Sequence, residues 1–328
     1  MKKIIFSRHG IRYPFFTKER SIKAFNKDLM QWEYKNPELV LLTEKCERAE
    51  FAFGQFLRNY LNLSGRESFI AKANSTYRTF ETAQLLSLGL FPHIKNNVIV
   101  SDENLKSEDP YFSLNYTDKK YINSNILADI DLKNKELYSL VEERFNLEKG
   151  ILLNKKTEFN IIEGLERNYP TGPLGICSTF SDLLQVKYFL NFDTDKIIPN
   201  SKNFLNDLKI ISKAKDQIID LVYANKKLLE ESEKNVIKLL KNEFNNDKEL
   251  TLLVGHDTNI ASILSYLEIE LDSNRDVIEK YPIGSKLIFN IRDNKTFDLE
   301  YTYFKYEDIR NNKFDNPVIL SLGKNLKL

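Results

Sequence analysis

An α/β fold is predicted, a mostly parallel sheet flanked by helices, with an inserted, mostly helical cap. Three observations predict it. Short apolar, β-branched runs close on glycine turns, helical periodicity follows them, and a polar stretch interrupts the alternation. The 328 residues allow one large domain or two at roughly 150 residues each. Residues 1–105 and 206–328 are expected to form the core, and 106–205 the cap.

The first strand is Lys3-Ile4-Ile5-Phe6-Ser7, closed by Gly10. A helix over 43–63 follows from Ala49, Phe53, Phe56, Leu57 and Tyr60 at helical spacing, with Thr43 and Glu47 at its start. Phe69-Ile70-Ala71 reads as a second strand, and Thr79 to Leu90 as a helix ended by Gly89 and Pro92. From about 101 to 205 the chain is rich in Asn, Asp and Lys, with helical patches near 118–147 and 178–190. Pro170, Gly172, Pro173 and Gly175 punctuate it. Helices are expected over 204–245, then a buried strand, Leu250 to Val254, closed by Gly255. Lys286 to Phe289 and Asp298 to Phe304 alternate like the strands of a hairpin.

Composition narrows the function. The chain is 42% hydrophobic and 29% charged, with only 11 Gly and 9 Pro, so it is neither collagen-like nor low-complexity. Its 48 basic and 47 acidic residues leave a net charge of +1, which gives no overall pull toward nucleic acid or anionic membrane. No basic helix or aromatic platform motif points to nucleic acid either. No apolar run approaches the roughly 18 residues of a membrane helix. The apolar run at the start is shorter than the about seven residues of a signal-peptide core. Cys46 and Cys177 lie far apart and lack metal-site spacing, so buried thiols in a reducing compartment are expected, with one disulfide as the alternative. A cytoplasmic protein is therefore expected; the alternative is a periplasmic or secreted one whose leader is absent.

Three loops carry the chemistry. Arg8-His9-Gly10-Ile11-Arg12-Tyr13-Pro14 sets two guanidiniums around one imidazole on a glycine turn. Arg forks match phosphate oxygens, and a neutral His can act as a nucleophile. Gly255-His256-Asp257-Thr258-Asn259 follows another strand and supplies a carboxyl suited to protonate a leaving oxygen. An N-cap role for Asp257 or Thr258 is the structural alternative. Asn74-Ser75-Thr76-Tyr77-Arg78-Thr79 opens a helix and brings a third guanidinium to its N-terminus. In a parallel sheet these loops share one rim, where ligands bind. A His-Asp metal site needs further His ligands; there are three His in all, and His93 falls in a surface loop after the helix, so no metal is expected.

At these residues the chain resembles the histidine acid phosphatases, the second branch of the histidine phosphatase superfamily. The pattern Arg-His-Gly-x-Arg-x-Pro is intact at Arg8 to Pro14, and the late His-Asp at His256-Asp257. Further matches include Leu42-Thr43, Phe53-Gly54, Ala73-Asn74-Ser75, Thr82-Ala83-Gln84, Gly172-Pro173-Leu174 and Pro282-Ile283-Gly284, so the resemblance spans nearly the whole chain, more weakly over 115–165. It implies a phosphoglycerate-mutase-like α/β core with a helical cap, and a phosphomonoester hydrolase without cofactor. His9 would form a phosphohistidine, Asp257 would be the general acid, and Arg8, Arg12, Arg78 and His256 would bind phosphate. Phe15, Phe16 and Asp182 are candidate substrate contacts, and Lys18, Arg20 and Lys23 could extend the positive rim. The expected partner is a small phosphomonoester such as glucose 1-phosphate. Phe15 and Phe16 stand where phytate-cleaving members carry polar groups, and Leu190 where sugar-phosphate members carry an acidic cap residue. Alternatives are a phytase-like inositol phosphate phosphatase, a phosphomutase, or a non-catalytic binder of phospho-ligands on the same fold.

Overall fold

Alternating burial along the strands builds two hydrophobic layers, one on each face of a central sheet. In the first strand Ile5 joins one layer, while Ile4 and Phe6 join the other. The computed structural model describes residues 2–34, 39–95, 97–114, 120–161, 167–272, 277–293 and 295–328. Its elements run β1 (Lys2–Arg8), α1 (Lys18–Phe25), α2 (Glu44–Tyr60), β2 (Phe69–Ala73), α3 (Tyr77–Leu90) and β3 (Val98–Ile99). Then come α4 (Ser124–Lys133), α5 (Lys135–Arg144), β4 (Glu158–Ile161), β5 (Asn168–Thr171), α6 (Pro173–Phe189) and α7 (Thr194–Ile197). The chain continues with α8 (Phe204–Val222), α9 (Lys226–Glu231), α10 (Val236–Phe244), β6 (Leu250–Gly255) and α11 (Asp257–Tyr266). It closes with β7 (Lys286–Ile291), β8 (Phe297–Tyr303), α12 (Tyr306–Arg310) and β9 (Val318–Leu326).

The sheet order is β3-β2-β6-β1-β7-β8-β9. The α/β class holds, and the sheet is mixed. β3, β2, β6 and β1 pair in parallel, while β7, β8 and β9 continue antiparallel. The β7–β8 link is too short for a crossover helix, so that strand must return antiparallel. The parallel half aligns the strand ends: Arg8 is level with Gly255, and Ala73 with Val254.

Several elements went unread in the sequence, the short β3, α7 and α12 among them. The segment holding Lys18, Arg20 and Lys23 is helix α1, N-capped by Thr17, whose face carrying Ser21, Ala24 and Phe25 is buried. The stretch between 106 and 205 contains the hairpin β4–β5 besides its helices. Pro170 lies in β5, which a two-stranded, edge-only pairing tolerates. β9 is half-exposed and interrupted by Gly323, Lys324 and Asn325, so its alternation is faint. The expected helical patch at 118–147 lies partly outside the described residues, at 118 and 119; the rest forms α4 and α5.

Gly89 does not end its helix. It lies inside α3, against Gly54 of α2. A Cβ at Gly54 would sit 2.6 Å from the Leu86 carbonyl oxygen, and one at Gly89 would sit 2.4 Å from that of Phe51. The two glycines let the backbones touch. Gly54→Ala gains about 1 kcal/mol of helix propensity but overpacks this contact by about 1–3 kcal/mol. We expect a net loss of stability, read as a lower urea midpoint; a raised midpoint would contradict the close approach.

Candidate active site

Backbone hydrogen bonds fasten the three strand ends together. The His9 N–H donates to the Gly255 carbonyl at 2.9 Å, the Asn74 N–H to the Val254 carbonyl at 3.0 Å, and the Gly284 N–H to the His9 carbonyl at 3.1 Å. His9, Arg78 and the His256-Asp257 pair therefore meet on one rim. The His9 and His256 rings pack edge to face with centroids 5.5 Å apart.

The turn after β1 is fitted from behind. A Cβ at Gly10 would lie 2.1 Å from Cys46 Sγ and 2.8 Å from Glu50 Oε1, so only glycine allows this approach. Glu50 is paired with Lys286 at 2.9 Å, both buried, and Lys286 also donates to the Gly284 carbonyl at 2.6 Å. This ion pair thus lies beneath both glycines that flank the His9 turn. Cys46 and Cys177 are free and buried, and burial pushes both thiols up.

Hydrogen bonding fixes both imidazoles. His9 Nδ1 lies 2.8 Å from the Gly10 carbonyl oxygen. A carbonyl only accepts, so Nδ1 carries the hydrogen and Nε2 keeps its lone pair. His256 Nε2 lies 2.7 Å from the Asn74 side-chain nitrogen. Asn74 Oδ1 already accepts from the Ser75 and Asp109 N–H groups at 2.9 and 2.7 Å, which orients the amide. Nε2 of His256 is therefore the acceptor, and Nδ1 bears the hydrogen. Burial, reinforced by Arg78 and Arg12, holds His9 well below the ordinary histidine range. Burial and Arg78 lower His256 likewise.

The guanidiniums are unequal. Arg8 is 1% exposed. Its Nη1 donates to Glu279 at 2.6 Å and to the Tyr281 carbonyl, and its Nη2 lies 3.1 Å from Asp257 Oδ2. Arg12 Nη2 meets Asp182 at 2.6 Å. Arg78 stands 3.9 Å from Glu108, which also receives Arg167 at 3.3 Å. Burial and neighbouring Arg12 bring Arg78 down to about 10. Among the described residues, the Nε atoms of Arg8, Arg12 and Arg78 are buried without a hydrogen-bond partner.

Asp257 opens α11, whose N-cap is His256, and its Oδ1 accepts from the Thr258 N–H at 2.9 Å. Burial favours its neutral form, but Arg8 and Lys215 outweigh burial and hold it well below the carboxylate range. Asp182 comes down to about 2: burial opposes the shift, and Lys215 and Arg12 overcome it. It is thus a buried, ion-paired group and not an exposed helix carboxylate.

The remaining candidates divide. Phe15 lies under the cations, its ring centroid 4.1 Å from the Arg12 guanidinium and 5.5 Å from that of Arg78. Phe16 is a correction: it is 1% exposed and packs on Phe25 and Phe180, inside the core rather than facing ligand. The chain bends at Phe15, which leaves that ring against the guanidiniums while Phe16 turns into the core. Lys18 and Arg20 are exposed, the latter donating to the Phe15 carbonyl at 3.0 Å, and Lys23 is exposed as well. Leu190 caps α6 and packs on the core, and His93 is exposed.

Lys215, Glu279, Asn74, Glu108 and Arg167 were not assigned from sequence. Lys215 alone left a signal: a charge on the apolar stripe of α8, four residues from Ile211 and from Ile219. Among the described residues, no group of three or more His, Cys, Asp or Glu is arranged to ligate a metal ion. No described helix is long and apolar enough to cross a membrane.

This fold, with its Arg-His-Gly turn facing a His-Asp helix start, is that of the histidine acid phosphatases. No protein-family model matches the chain. Weak but consistent sequence homology links it to glucose-1-phosphatases. It is 24% identical to that of Salmonella typhimurium, covering 94% of this chain and 82% of the relative, and 24% identical to that of Providencia rettgeri over 95% and 82%. Among solved structures, Hafnia alvei phytase in complex with tartrate superposes with a TM-score of 0.81 at 14% identity, over 98% of this chain and 90% of that one. Klebsiella sp. ASR1 phytase gives 0.79 at 16% identity, over 98% and 89%. Together these relatives support a phosphatase of the histidine acid phosphatase type.

With both imidazoles depressed, His9 and His256 stay neutral in the free protein at pH 6, which ¹⁵N NMR of the imidazoles should report. The unfolded chain binds those protons near pH 6.5, so stability falls as pH drops below that value and is kept above it. A protonated His9 at pH 6 would contradict the assignment.

Proposed function

We propose that the chain hydrolyses small phosphomonoesters through a phosphohistidine on His9. The observation that carries this reading is the tautomer of His9: a neutral imidazole with its Nε2 lone pair kept, in a pocket of guanidinium groups. The buried, unpartnered Nε donors of Arg8, Arg12 and Arg78 suit an anion. In the first step Nε2 attacks phosphorus, the ester P–O bond breaks, and Asp257, whose proton affinity the bound phosphate dianion raises, gives its proton to the departing alkoxide. In the second, water loses a proton to Asp257 as its oxygen attacks phosphorus, and the P–N bond breaks. Arg8 through its Nε, Arg12, Arg78 and His256 hold the equatorial oxygens where negative charge is borne, and Arg8 also braces Asp257 through its Nη2.

A sugar phosphate such as glucose 1-phosphate is the substrate class we favour. The relatives found by sequence carry that name, and Phe15 offers the leaving group an apolar wall. Residues 106–205 act as a cap on this reading, contributing Asp182, Glu108 and Arg167.

His9→Ala should lower turnover of p-nitrophenyl phosphate by about 10³-fold or more; full activity would refute the nucleophile. Asp257→Asn should slow glucose 1-phosphate more than p-nitrophenyl phosphate, whose leaving group needs less protonation. Equal losses on both would remove Asp257 from the acid role.

A further inference from the structure

Of the buried ammoniums that the two-step scheme leaves unused, that of Lys215 lies against Asp257. Lys215 of α8 reaches three carboxylates from three segments: Asp182 of α6 at 2.7 Å, Glu279 before β7 at 2.9 Å, and Asp257 at 3.2 Å. Glu279, whose side chain is 1% exposed, also receives Arg8 at 2.6 Å. Asp257 Oδ2 thus lies between Arg8 and Lys215, while Oδ1 is fixed by the Thr258 N–H. Arg8 is locked by its own bonds to Glu279 and the Tyr281 carbonyl and stays charged at any working pH. Lys215 is a compact charge on a stem of four carbons.

We propose that Lys215 is a positioning residue, which orients the Asp257 carboxyl and, with Glu279 as its counter-charge, sets the pH window in which Asp257 carries its transferable proton. The proposal rests on the phosphohistidine reading above. The charged and titratable groups around Asp257 are Arg8 and His9 from the β1 end, Arg78 of α3, Lys215 and Tyr223 of the α8 end, neighbouring His256, and Tyr169 of β5. Around Lys215 they are Arg8, Asp182, Glu279 and Asp216, whose carboxyl accepts from the Lys280 N–H. Of these, Lys215 and Arg8 touch Asp257 and favour its anion. Glu279 touches both cations and not Asp257, so it weakens their hold. The two residues must therefore act in opposite senses.

The measurement is kcat against pH, which reads Asp257 in the substrate complex, where the bound phosphate dianion offsets its two cations, for β-glycerophosphate, a poor leaving group, with p-nitrophenyl phosphate in parallel. Proton donation fails as pH rises through the pKa of Asp257. In Lys215→Met that descending limb should move up by about one pH unit or more, the usual effect of an adjacent opposite charge. In Glu279→Gln, an isosteric change, it should move down. Both shifts should be smaller for p-nitrophenyl phosphate. Limbs that stay in place, or move together in one direction, would make Lys215 merely structural and overturn the proposal. If Lys215→Met fails to fold by thermal melting, Glu279→Gln decides alone: a downward shift supports the proposal, and an unmoved limb overturns it. A wild-type protein that is inactive, or active without His9, would overturn the phosphohistidine reading instead.

Discussion

The structure depends on keeping buried charges paired. Arg8, Arg12 and Lys215 interleave with Asp182, Asp257 and Glu279 in one continuous ion network, whose side chains are 1–14% exposed. Stripping the partner from such a charge costs about 3–5 kcal/mol, against a total stability of about 5–15 kcal/mol. The chain cannot leave one member out. The network therefore dictates tertiary structure: β1, α6, α8, α11 and the segment before β7 must converge for every ion to find its counter-ion. The same convergence brings His9, Arg78 and His256 to one rim.

Burial has opposite outcomes inside this rim. It acts on His9 together with the guanidiniums, and both favour the uncharged ring. On Asp257 it is opposed by two cations, and the cations win. A neutral imidazole and an anionic carboxylate thus sit side by side in one desolvated pocket. Tautomer control adds direction. The Gly10 carbonyl spends the hydrogen of His9 on Nδ1, and the Asn74 amide does the converse for His256 by donating to Nε2.

Much of this was legible in the sequence, because the parallel strands are apolar runs with glycine turns at their ends. β1 and β6 are marked that way, and so are the motifs that ride on them, while β2 is marked by its apolar run alone and runs into Asn74. What escaped had no local mark. β9 pairs only on one side, and none of its residues is fully buried. The β4–β5 hairpin is four residues a side and carries a proline. Gly89 looked like a helix stop, because helix-ending and helix-crossing glycines are the same letter; only Gly54 across the contact tells them apart. Phe15 and Phe16 are adjacent and chemically alike, yet one lies under the cations and the other is core. Glu279 follows a segment without periodicity, so its pairing with Arg8 is a purely long-range fact. Lys215 was detectable in principle, since a lysine in an apolar stripe needs a buried counter-charge.

The Glu50–Lys286 pair beneath the nucleophile turn has an evolutionary corollary. The two ions are 4% and 0% exposed and lie far apart in sequence. Replacing either alone strands a charge in apolar surroundings, next to Phe53, whose ring centroid is 3.8 Å from the ammonium. A neutral apolar pair of equal volume would be tolerated, but the route to it crosses a destabilised single mutant. These two positions should therefore drift as a couplet among descendants of this gene, changing together or not at all.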